Sequence, residues 1–149
     1  MGTPRFRYDT SASWYKGNTH IHSTASDGAK DHVELAAMYA EVGYDFLFAT
    51  DHWVASDFGA DDRDYPLLWL DGVELDGHDE RAGYFHVVSL GRFTGLAKDM
   101  GFDAAMRSVR EQGGLTILAH PTWCTNAVRK THRTTSGTTR REKPSHRGS

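Results

Sequence analysis

Cysteine is almost absent from these 149 residues, with Cys124 standing alone. One thiol closes no intrachain disulfide and anchors no zinc ribbon, so a cytoplasmic setting is expected and any metal would be held by histidines and carboxylates. Long apolar runs are missing too. No stretch approaches the roughly 20 apolar residues a membrane helix needs, and Met1 to Trp14 lacks the apolar core of a secretory signal, so no membrane association is expected. Acidic residues nearly vanish towards the end. Residues 1–124 carry 10 basic and 19 acidic side chains, a balance of −9, whereas residues 125–149 carry 7 and 1, a balance of +6. After Cys124 the only aliphatic residues are Ala127 and Val128, too few to offset the entropy lost on ordering, so this Thr/Arg-rich tail is expected to be disordered. The expected organisation is a lead-in over 1–13, a folded domain over 14–124 and a basic tail over 125–149.

With 38% hydrophobic and 25% charged residues, the chain has the composition of a globular protein and is long enough for one domain with a core. No internal repeat is visible. Before the tail the pattern alternates in a βαβ manner. Gly17–His22 reads as a first strand. Asp31 with Glu34 forms a plausible capping box, and Val33, Ala36, Ala37 and Ala40 share one helical face until Gly43. The continuous apolar run 44–50 suits a buried parallel strand. Residues 67–70 and 73–75 make a third strand region bent at Gly72, and 85–90 a fourth. Phe102, Ala105, Met106 and Val109 recur at helical spacing up to Gly113-Gly114, and 115–119 is a fifth strand.

Onto this frame the sequence places ordered clusters of ligand-type residues. His20 and His22, at i and i+2 on an extended segment, project to the same side, and Asp27 follows from the next turn as a hard oxygen ligand. Asp51-His52, Glu74, His86 and His120 follow, nearly all at the ends of short apolar runs. Reactive groups of α/β folds collect at strand carboxyl ends, where His20, His22, Asp51, His52 and His120 fall, and alternation could aim Glu74 and His86 inward from within or beside strands, so all can converge on one mouth. Each also has a plainer reading: a polar strand face for His20 and His22, a turn or helix cap for Asp51-His52, an edge carboxylate for Glu74, a core histidine for His86, and a strand-ending turn for His120-Pro121. Their recurrence in order favours metal ligation by His20, His22, Asp27, His52, Glu74, His86 and His120. Asp51, His52 and Glu74 are the expected catalytic residues, although Asp51 could instead orient a ligand from behind. His32 and His78, among charged residues, are expected at the surface. His132 and His146 lie in the tail and are given no role.

The motifs Thr19-His20-Ile21-His22-Ser23, Ser26-Asp27-Gly28, Thr50-Asp51-His52, Gly72-Val73-Glu74, residues 86–91 and Ala119-His120-Pro121 resemble those of the polymerase and histidinol phosphatase (PHP) superfamily. The stretch Trp14-Tyr15-Lys16-Gly17-Asn18-Thr19-His20 is most similar to its CehA/McbA-type branch, and the resemblance covers residues 14 to about 123. It implies an α/β fold, a distorted (β/α)7 barrel of which this chain holds about the first five strands. It also implies up to three divalent metal ions (zinc, manganese or iron) and hydrolysis of a small phosphoester or ester substrate. His20 and His22 would hold a first metal, Glu74 would bridge to a second held by His86 and His120, and Asp27 and His52 would serve a third.

The family pattern continues past His-Pro with more strands and a late Asp-x-His pair. Here no aspartate follows Asp103, so a truncated or frame-shifted product is expected, with two sheet edges left open. Three readings result: a metal-dependent phosphoesterase using metal-activated water, a metal-binding fragment with impaired catalysis, and a nucleic-acid binder acting through the basic tail. The last is the weakest, since the tail lacks aromatic residues for base stacking and the preceding domain is acidic.

Overall fold

The computed structural model describes residues 10–78 and 83–121. Their framework is a curled, half-barrel sheet of five strands: β1 (Gly17–Asn18), β2 (Phe46–Ala49), β3 (Leu68–His78), β4 (Tyr84–Leu90) and β5 (Leu115–Leu118), hydrogen-bonded in chain order. Two helices accompany it, α1 (His32–Glu41) and α2 (Phe102–Glu111). The architecture is mixed α/β.

The helix start follows from local chemistry. The Asp31 carboxylate accepts the Glu34 amide at 2.9 Å while the Glu34 side chain accepts the Asp31 amide at 3.3 Å, a capping box that satisfies two otherwise orphaned donors. Leu35 and Ala36 are the residues that α1 buries, packing with Ile21, Leu47, Ala49, Leu67 and Trp69. The face expected from sequence is therefore rotated, since Val33 is exposed. The second helix buries Ala105 and Val109 against Val73 and Leu75 of β3 and against Phe93.

Sheet topology departs from a uniform βαβ alternation. The pairs β1–β2 and β2–β3 are parallel, but β3–β4 and β4–β5 are antiparallel. The third strand region is a single eleven-residue strand running through Gly72. Gly72 lies between two neighbours: a Cβ there would come within 3.0 Å of both the Ala49 and Ser89 carbonyl oxygens. In β3 the alternation sends Trp69, Val73 and Leu75 into the helix-side cores, and Glu74 to the opposite face. Antiparallel register sets Glu74 opposite Val88 and Asp76 opposite His86, so these four side chains share that face.

Residues 1–9, 79–82 and 122–149 lie outside the described residues, and with them the expected tail, its boundary at Cys124, and His132 and His146. Among the described residues no helix is long and apolar enough to cross a membrane.

Candidate metal centre

Regular pairing of β1 ends at Asn18, short of the expected Gly17–His22. Side chains from the end of β2 take over. Thr50 Oγ accepts the Ile21 amide at 2.9 Å and donates to the Ile21 carbonyl at 3.0 Å, and the Thr50 amide donates to that same carbonyl. One residue on, Asp51 Oδ1 accepts the Ser23 amide at 2.7 Å and Oδ2 accepts the Ser23 hydroxyl at 2.7 Å. Ile21 and Ser23 thus face inward and are buried, while the alternate residues His20 and His22 turn to the opposite side. The loop behind them closes tightly: the Gly28 amide donates to the Ser23 carbonyl, and a Cβ on Gly28 would sit 2.3 Å from the His22 carbonyl oxygen. Only glycine lets the loop pass this close to the His22 backbone.

Glu74 is the centre of the cluster and is fully buried, with 0% exposure. Among the described residues every ion-pairing partner of its carboxylate is a histidine. Oε2 lies 2.9 Å from His20 Nε2, 2.9 Å from His22 Nε2 and 3.7 Å from His52 Nε2. Oε1 lies 3.0 Å from His86 Nδ1 and 3.5 Å from His120 Nε2. The two oxygens therefore address different imidazoles. The nitrogens also crowd one another, with His20 Nε2 and His22 Nε2 only 3.0 Å apart.

The structure brings all seven expected ligand residues into three overlapping groups whose donor atoms lie within 4.8 Å of one another: His20, Glu74 and His120; His22, Asp27 and His52; His52, Glu74 and His86. A cation held by imidazole nitrogens at about 2.0–2.1 Å in a tetrahedron has ligand–ligand edges of about 3.3 Å, close to the spacings around Oε2. The donor set, imidazoles with a buried carboxylate and no thiolate, suits zinc, manganese or iron. The residues present therefore fit divalent metal. Asp27 is the outlying member, 68% exposed and 3.8 Å from His52 Nε2.

Burial alone would raise the Glu74 carboxyl, but contacts with His20 and His22 and the proximity of His52 outweigh it and hold Glu74 below the usual carboxylate range. The same contact with Glu74 raises His22 above the ordinary histidine value, against the effect of burial. His120 shifts the other way, lowered by desolvation and by the neighbouring imidazoles.

Asp51, expected among the catalytic residues, is buried behind the histidines. It accepts from Ser23 and from Ser26 Oγ at 2.6 Å, and His32 Nε2 lies 3.3 Å from its Oδ2. Burial pushes its carboxyl up, and these contacts more than reverse the shift, leaving it ionised. Ser26 Oγ in turn lies 3.5 Å from His22 Nδ1, linking Asp51 to a candidate ligand. His32 corrects an expectation. It is half-buried rather than at the surface, set edge-on to Phe58 and Trp69 with its ring nitrogen on Asp51. Its partner lies 19 positions away, so no local pattern marks it. His78 is exposed, as expected. Sequence reading also passed over Asp76, two residues beyond Glu74 on the same strand face, whose Oδ1 lies 3.3 Å from His52 Nδ1.

Two residues, one beside the cluster and one within it, adopt left-handed backbone without being glycine: Trp53 at φ 58° and His120 at φ 28°. Such conformations cost on the order of 1–3 kcal/mol and persist where the surroundings enforce them. Trp53 is held by two hydrogen bonds to β3, from its amide to the Glu74 carbonyl at 2.9 Å and from its indole to the Asp76 carbonyl at 3.1 Å. No protein-family model matches the chain, and no curated protein matches it.

Proposed function

We propose that this chain is a metal-dependent hydrolase of the PHP type, acting in the cytoplasm on a small phosphoester or, second, another ester. The observation that carries the reading is the division at Glu74, whose buried carboxylate presents one oxygen to His20 and His22 and the other to His86 and His120. A carboxylate so placed is suited to bridging two cations. In the assignment that the family resemblance implies, His20, His22 and Glu74 would hold one metal, Glu74, His86 and His120 a second, and Asp27 with His52 would serve a third. Bound divalent ions would supply acidified water near neutral pH and stabilise charge developing on the phosphoryl and leaving oxygens.

The chain's own residues set the conditions. Glu74 stays ionised, giving the pocket a fixed negative charge that favours cations over protons. His20, His22 and His52 turn Nε2 inward. Asp51 is a positioning residue here, since its oxygens accept from Ser23 and Ser26 and His32 Nε2 lies 3.3 Å from Oδ2. A second reading, metal binding without turnover, is favoured by the exposure of Asp27 and by strand β5, which is the edge of the sheet among the described residues and exposes Leu115 and Leu118. Nucleic-acid binding through residues 125–149 draws no support from this site.

The test is turnover of p-nitrophenyl phosphate and bis-p-nitrophenyl phosphate with metal content measured on the same sample, against a His20→Ala/His22→Ala double variant. Metal-dependent turnover that the double variant loses is the expected result. Bound metal without turnover selects the second reading, and absence of both rejects the site.

A further inference from the structure

His52 stands among three carboxylates, two on its Nε2 side and one on its Nδ1 side. Its Nε2 faces the cluster, 3.7 Å from Glu74 and 3.8 Å from Asp27, while Nδ1 is shielded from solvent and lies 3.3 Å from Asp76 Oδ1. This approach to Asp76 is not aligned as a full hydrogen bond, as is common where such contacts tighten only when the site is loaded. Asp76 itself is fixed. Its Oδ2 accepts the Tyr84 hydroxyl at 3.0 Å, and its carbonyl accepts the Trp53 indole N–H at 3.1 Å. Strand geometry builds this relay. Asp76 follows Glu74 by two on β3 and so shares its face, and Tyr84 precedes His86 by two on the neighbouring strand β4 and lies on that same face.

We propose that Asp76, braced by Tyr84, is the positioning residue that fixes the His52 ring with its proton on Nδ1 and its lone pair on Nε2 directed at the metal. The competing arrangement, a proton on Nε2, is disfavoured. Glu74 Oε2 is already engaged at 2.9 Å by both His20 and His22, and Asp27 is solvent-exposed and farther away. A neutral imidazole donates from one nitrogen only, so a carboxylate behind the ring decides which nitrogen can ligate, and it also raises the ring's basicity towards metal. The metal half of this inference rests on the proposed function; the tautomer half does not.

Both halves are measurable on the full chain. In metal-free protein at pH 8, long-range 1H–15N correlation should show His52 protonated on Nδ1. Asp76→Ala should move the proton towards Nε2 and weaken zinc binding, measured by chelator competition, by about 10–100-fold. Asp76→Asn, which keeps a neutral acceptor, should lose less, and Tyr84→Phe less again. Should Asp76→Ala fail to fold, Asp76→Asn carries the test. An Nε2-protonated His52 in the metal-free wild type overturns the proposal. So does wild-type zinc affinity in Asp76→Ala, or in Asp76→Asn where it stands in. A wild type that binds no zinc overturns the proposed function, and the tautomer then decides this inference by itself.

Discussion

Replacing Glu74 by glutamine separates what the carboxylate does for the fold from what it does for metal. The change is nearly isosteric, so packing is kept. The carboxamide nitrogen should settle on the Oε1 side, where one ring nitrogen lies at 3.0 Å, rather than on the Oε2 side, where two lie at 2.9 Å. One charge-assisted contact is then lost and two weaken from charged to neutral, about 3–5 kcal/mol altogether. Against this, an amide escapes the effective desolvation penalty of a buried carboxylate, itself several kcal/mol. The two nearly cancel, so metal-free wild type and Glu74→Gln should differ by no more than ~2 kcal/mol. Zinc breaks the tie. At 1,000 times its Kd a ligand adds about 4.1 kcal/mol, roughly 15 °C in Tm at ~4 °C per kcal/mol. A 100-fold weaker site at the same zinc concentration retains only about 1.4 kcal/mol, or ~5 °C. Thermal melts of both proteins with chelator and with zinc read these quantities directly. Equal zinc shifts would refute the bridging role proposed for Glu74, and a metal-free variant melting 15 °C or more below wild type would show that the carboxylate is structural.

Thr50→Val keeps shape but strands the Ile21 amide, so it should cost about 1–3 kcal/mol in urea denaturation and weaken metal binding through His20 and His22. Gly28→Ala drives a Cβ into the His22 carbonyl and should destabilise by about 1–3 kcal/mol while displacing Asp27, seen as loss of the weakest metal equivalent in a titration. Asp51 has a folded pKa below its unfolded one, so the unfolded chain takes up the proton first. Its stabilising contribution is then present above about pH 4 and lost as the pH falls further, and Asp51→Asn should flatten that acid limb of the stability–pH curve.

The elements legible in the sequence are those with local causes. The capping box at Asp31 and Glu34 marks where α1 begins because both partners lie within one turn. The apolar run before Thr50 marks β2 because a strand covered on both faces needs no alternation. Strand direction carried a signal that the βαβ reading did not use. The third and fourth expected strands, ending at 75 and starting at 85, are joined by too short a stretch for the crossover that a parallel pair needs, and β3 and β4 pair antiparallel. At the site, what stays hidden is what distant partners set. His20, His22 and His120 stood out as ligand types at strand ends and Glu74 and His86 as ligand types within strands, and the structure sets the four histidines around the Glu74 carboxylate. His32 did not, because Asp51 and the edges of Phe58 and Trp69 that enclose it come from elsewhere in the chain. Asp76 carried a usable signal, the period of two from Glu74, which is legible once β3 is known to extend to His78.

The position of Glu74 explains why the site and the centre of the sheet coincide. A carboxylate with no exposed surface is costly to bury unless its charge is met, and the described partners that meet it are imidazoles, which reach it from four different segments of chain. None of those segments would hold its histidine there unaided. His20 and His22 need Thr50 and Asp51 behind them, and the bridge that brings His52 beside Glu74 is held by the left-handed Trp53 hydrogen-bonded to β3. His120 takes its own left-handed turn beyond β5. The local costs of burial and backbone strain are offset by the apolar cores beneath, where α2 closes on Val73 and Leu75, the two neighbours of Glu74 that point the other way. A substitution in that core, such as Val73→Ala, should therefore loosen the metal centre as well as the fold. Strand alternation ties each side chain on the helix face to the donor beside it.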